Sequence, residues 1–224
     1  MSHAALLLLS DGRFPSGGHA HSGGAEAAVA AGLVRDTATL ECFCRGRLHT
    51  SGLVAAALAA AAACGCDPLL LDAAADARTP SPALRRTSRK LGRQLSRAVR
   101  VTWPGPLWDE LATACPGGAH QPVVLGLAAR AAGLTPLDAA RSAAYDSVCG
   151  PVNAVVRLLG LDPFRANGVV AALADDIDEV ADRAARHAER AAAEGVDTLP
   201  AASAPLLDIT AEQHATWSVR LFAS

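Results

Sequence analysis

Apolar residues recur along this chain at three- and four-residue steps and scarcely anywhere alternate with polar ones. That spacing places them on single faces of helices and supplies no half-buried strand. Asp36-Thr37 caps a helix running to about Thr50, and Leu53 to Ala63 gives a second that stops at Gly65. Ser81-Pro82 is a cap with Pro in the first turn, and Leu84, Ser88, Leu91, Leu95 and Ala98/Val99 form the stripe that follows. It ends near Thr102, before Pro104-Gly105-Pro106. His120-Gln121-Pro122 opens a short helix that closes at Gly133. Thr135-Pro136-Leu137-Asp138 is a capped start, and Gly150-Pro151 predicts a break or sharp kink before Val152 to Leu159. Asp162-Pro163 begins a helix whose stripe, Val170, Leu173, Ile177, Val180, Ala184, His187 and Ala191, runs to Gly195. Thr210 with Gln213 is a capping box for a last short helix. The expected fold is therefore all-α: one domain over 1–224 with eight to ten mostly short helices. A Gly-rich arm over 1–26 and a tail over 197–224 are expected to be mobile, and 67–82 is the expected flexible connection.

Composition fills in the core. The chain has 224 residues, of which 51% are hydrophobic but only 4% aromatic. Ala, Leu and Val must build the interior, and small side chains let helices approach closely. A net charge of −2 argues against a general nucleic-acid binder. Leu53 to Cys64 is too short to span a membrane, which takes about 20 apolar residues, so it reads as a buried helix. Ala4 to Leu9 lacks the charged flank of an export signal, so the expected location is the cytoplasm. Cys42, Cys44, Cys64, Cys66, Cys115 and Cys149 follow no zinc spacing and read as reduced, mostly buried thiols.

Charge is unevenly spread. No acid stands between Asp76 and Asp109, and Arg85, Arg89, Arg93 and Arg97 repeat every four residues there. Such a stripe repels itself by about 0.2–0.5 kcal/mol per pair, so it predicts an acidic surface on a partner or elsewhere in this chain, or else a solvated face. Asp175, Asp176, Asp178, Glu179 and Asp182 open another helix, where its dipole favours negative charge.

Ser10 to Glu26 holds five glycines and a proline directly after the run Leu6 to Leu9. This cannot be a plain helix and reads as a shaped turn. Asp11, Phe14, Pro15, Gly17, Gly18, His21, Ser22, Gly24 and Glu26 make it similar to the opening signature of the UreF family of urease accessory proteins. His19 departs, since an aromatic is common there. The resemblance continues through Ser88, Gly92 and Leu95, then His120-Gln121-Pro122-Val123-Val124, Tyr145, and Val152, Ala154, Val156, Arg157 and Leu158. It ends on Ser203-Ala204-Pro205-Leu206-Leu207-Asp208-Ile209, His214 and Arg220-Leu221-Phe222-Ala223-Ser224. Asp162 and Ala223 are further departures, standing where the family has Gln and Arg.

The resemblance implies a non-catalytic, dimeric helical scaffold without a cofactor of its own. It would join a UreD-like protein (UreH in some systems) to the UreG-like GTPase, so that nickel reaches apo-urease, and would modulate that GTPase. Gly17, Gly18, His21, Ser22, Arg220, Leu221 and Phe222 are the implied partner contacts, with Phe222 as an anchor. The residues themselves show no P-loop, G-x-S-x-G elbow or HExxH, which favours an interaction protein over an enzyme. His19-x-His21 is the best metal candidate and sustains an alternative, a stand-alone nickel chaperone.

Overall fold

A computed structural model describes residues 3–222. Twelve α-helices with short 3-10 and π turns make up the secondary structure of these residues, in one all-α domain. They are α1 (His3–Ser10), α2 (Ala25–Ala30), α3 (Thr37–Arg47), α4 (Leu53–Cys64), α5 (Pro68–Ala77), α6 (Pro82–Thr102), α7 (Leu107–Ala114), α8 (Gln121–Ala131), α9 (Pro136–Leu159), α10 (Pro163–Ala172), α11 (Ala174–Glu194) and α12 (Pro205–Ala215).

The alanine-rich α4 is the axis of the body. Ala56, Ala57, Ala59, Ala60, Ala61 and Ala62 are all fully buried, with α8, α9 and α11 packed around them. Small side chains permit this on every side. Gly126 of α8 is the closest approach: a Cβ there would lie 2.0 Å from the Ala59 carbonyl oxygen. A π turn over Leu48–Gly52 joins α3 to α4, so Thr37–Cys64 is one helical run of 28 residues. That run is long and apolar enough to cross a membrane, but its apolar half is the core helix of the bundle.

Several elements differ from expectation. The segment 67–82 is no open connection but carries α5, whose first turn is held by Asp67 Oδ1 accepting from Leu69 N at 2.7 Å. Asp-Pro opens this helix just as it opens α10. The expected break at Gly150-Pro151 does not occur, and α9 runs unbroken. Pro151 leaves the Ser147 carbonyl without its helical donor, and the Arg47 guanidinium donates to that oxygen at 3.2 Å instead. The stripe from Val170 to Ala191 is divided between α10 and α11 at Leu173. The last helix begins at Pro205 rather than Thr210, whose hydroxyl donates back to the Leu206 carbonyl at 2.7 Å. The helices α1, α2 and α7 were too short for the periodicity to announce.

The arm and the tail, expected to be mobile, lie against the body. Phe14 is buried, with its ring centre 6.4 Å from that of Trp103 at the end of α6. Helix α1 packs on α9, and α12 packs on α6 and α2.

Candidate functional site: the clasp between arm and tail

Ser22-Gly23-Gly24 turns the chain into α2, and Gly24 takes the left-handed conformation (φ 90°) just before it. Leu207 of α12 closes on the space beside Gly24, where a Cβ would meet its Cδ2 at 3.1 Å. The tail thus reaches the first turn of α2, where Glu26 stands. Glu26 is buried, and its carboxylate accepts three hydrogen bonds from the C-terminal segment. The Leu221 N–H donates to Oε1 at 2.8 Å, the Phe222 N–H to Oε2 at 3.0 Å, and His214 Nε2–H to Oε2 at 2.9 Å. Burial pushes the Glu26 carboxyl up, but these donors outweigh it and hold the group below its usual value. His214 is buried, and its ring centre lies 4.7 Å from that of Trp217.

Arg157 of α9 completes the clasp. Its guanidinium sits over the Phe222 ring, 5.7 Å from the centroid, and donates to the His19 carbonyl at 3.3 Å. One cation therefore touches both arm and tail.

The proposed partner residues divide into two sets. Gly17, His21, Ser22 and Phe222 are buried within this chain, whereas Gly18, Arg220 and Leu221 are exposed. Gly17 is left-handed (φ 82°), a conformation that favours glycine, and the Gln94 side-chain end lies where a Cβ would stand. His19 is exposed and His21 buried; both border the same cavity. Ala223 and Ser224 lie outside the described residues. Sequence reasoning left Glu26, His214 and Arg157 out of the site. Each stood in a quoted motif, and a lone buried-type acid in an otherwise apolar Ala-rich turn was the available signal.

A cavity of about 620 Å³ opens behind the clasp, between the arm, α4, α6, α9 and the tail. Arg47, Tyr145, Asp146, Cys149 and Arg157 are on its wall. Asp146 is accessible from the cavity yet surrounded by protein, and that burial pushes its carboxyl up to about 7. Burial likewise lifts Cys149 to about 11 and Cys44 to about 12, keeping both thiols protonated at neutral pH. No group of three or more His, Cys, Asp or Glu among the described residues is placed to hold a metal ion.

A second buried network fixes the α5–α6–α8 corner. His120 Nε2–H donates to Asp76 at 2.9 Å, while Nδ1 accepts from the Ser88 hydroxyl at 3.0 Å. Arg89 bridges Asp72 (2.9 Å) and Asp76 (2.6 Å). Burial pushes the His120 imidazole below its usual value against the pull of Asp76, so it is neutral at pH 7. The arginine stripe is largely consumed here. Arg85 donates to the Thr79 and Pro80 carbonyls, and Arg93 to that of Gly117. The acidic surface that the stripe called for is Asp72 and Asp76 of this same chain.

These features define an all-α, single-domain protein whose two terminal segments are locked onto the helical body through a buried carboxylate. Comparison with known proteins agrees. The UreF family model matches residues 34–174. The chain is 46% identical over 227 residues to the urease accessory protein UreF of Mycolicibacterium vanbaalenii, covering all of this chain and 99% of the relative. It is 43% identical to the UreF of Mycobacterium sp. strain JLS, over 98% of this chain and 97% of the relative. The UreF of Mycobacterium tuberculosis strain H37Ra is 40% identical, over 95% and 94%. The chain belongs to the UreF family of urease accessory proteins.

Proposed function

We propose that this chain is a non-catalytic scaffold of urease maturation. It joins a UreD-like protein and a UreG-like GTPase so that nickel is inserted into apo-urease, and it acts in the cytoplasm as a homodimer. Nickel is the cargo of the assembly and GTP the ligand of the partner, so the chain itself takes no cofactor. Family membership supports the setting. One observation supports the scaffold role: with Phe222 turned inward, the C-terminal segment presents Leu206, Ile209, Val219 and Leu221 to solvent, each 56% exposed or more. An apolar surface of this kind beside a fixed backbone is suited to covering by another protein.

The test is a mycobacterial strain lacking its own UreF. Supplied with this chain, it should regain urease activity and nickel in the purified urease. A strain that expresses the folded chain but makes nickel-free urease would overturn the proposal. A stand-alone nickel chaperone would instead bind nickel tightly as the isolated protein and lose it in the His19→Ala/His21→Ala variant, which equilibrium dialysis reads.

A further inference from the structure

Two cations of α6, Arg86 and Lys90, border a second cavity. Arg86 and Lys90 are one turn apart, on the face next to the consumed stripe. Together with Arg220 of the tail they border a half-open pocket of about 340 Å³, whose remaining wall is His21, Ala83, Thr87 and Ala215. Among the described residues, no acid is on that wall. Among the described residues, Arg86, Lys90 and Arg220 enter no ion pair, and all three are exposed. Glu212, which Arg86 favours electrostatically, is already bound by the Ser81 hydroxyl and the Ala83 N–H.

The pocket is built rather than incidental. Arg220 immediately precedes the two residues whose N–H groups Glu26 holds, so the clasp delivers this cation to the helix carrying the other two. Three like charges brought together, with Glu212 the one acid among the described residues that Arg86 senses, raise one another's energy, which an incoming anion relieves. Val219 and Leu221 flank Arg220 and are 79% and 72% exposed. A basic pocket with an apolar rim suits a polypeptide better than a free ion.

We infer that Arg86, Lys90 and Arg220 form the docking pocket for an acidic segment of a partner protein. This rests on reading the chain as a docking protein, yet its test needs no urease component, so the two fail separately.

The probe is fluorescein-labelled hexaglutamate, titrated with the whole chain at low salt and followed by polarisation. Saturable binding should weaken as salt rises. Arg86→Gln/Lys90→Gln should weaken it by about tenfold or more, as expected for two lost charge-assisted contacts. Neither side chain holds the fold, so thermal unfolding should be unchanged. Arg97→Gln/Arg165→Gln removes the same charge from exposed positions elsewhere and should leave binding within about twofold. Absence of saturable binding, or equal weakening by both double variants, overturns the inference. Orthophosphate that binds as tightly as the peptide also overturns it, in favour of a free-anion site.

Discussion

Three donors of the C-terminal segment end on the Glu26 carboxylate, which ties the first turn of α2 to that segment. Its lowered pKa fixes the sign of the pH effect. A carboxyl depressed on folding contributes stability above its unfolded value, and that contribution is lost as pH falls through the folded value. Glu26→Ala should therefore speed hydrogen exchange at the Leu221 and Phe222 amides by about tenfold or more at pH 7. Glu26→Gln, which keeps an acceptor oxygen, should give an intermediate rate; unchanged protection in both variants would contradict the clasp. Asp146 has the opposite sign. A carboxyl raised to about 7 favours folding in its protonated form, fully so below its unfolded value near 3.8, and that benefit is lost as pH climbs through 7. Asp146→Asn should stabilise the protein by about 1 kcal/mol at pH 8, a modest figure because the cavity admits solvent, and by much less at pH 5. Thermal unfolding at the two pH values checks it.

At the scale of elements, the long helices were legible because stripe and cap agree. Ser81 accepts from Leu84 N, Thr135 and Asp138 form their box, and Asp36 accepts from Thr39 N, each where the sequence places it. What local signals did not reveal was tertiary compensation. Pro151 reads as a break until Arg47, a hundred positions earlier, is found donating to the orphaned carbonyl. Arg47→Ala should cost about 1–3 kcal/mol by leaving that oxygen unpaired, measurable as a lower urea midpoint. Gly92 of α6 is a second long-range constraint, since a Cβ there would lie 1.9 Å from the Ala119 carbonyl oxygen, which is backbone and cannot swing away. Gly92→Ala should cost about 3 kcal/mol by the same measurement and force α6 off α8.

At the scale of the whole molecule, the N-terminal arm and the C-terminal segment meet at Glu26. The sequence motifs marked both arm and tail, but nothing local showed that Glu26 of one binds Leu221 and Phe222 of the other, nearly two hundred positions away. Nor did periodicity show that the residues implied as partner contacts split between an inward set, including Phe222, and an outward set, including Arg220 and Leu221. That division gives the tail a backbone fixed by this chain and an outer surface available to another. The most direct measurement is size-exclusion chromatography with light scattering on this chain mixed with UreD-like and UreG-like proteins from the same source. A defined complex containing all three, with the chain present in two copies, is the expected result. A chain that elutes alone beside folded, competent partners would contradict it.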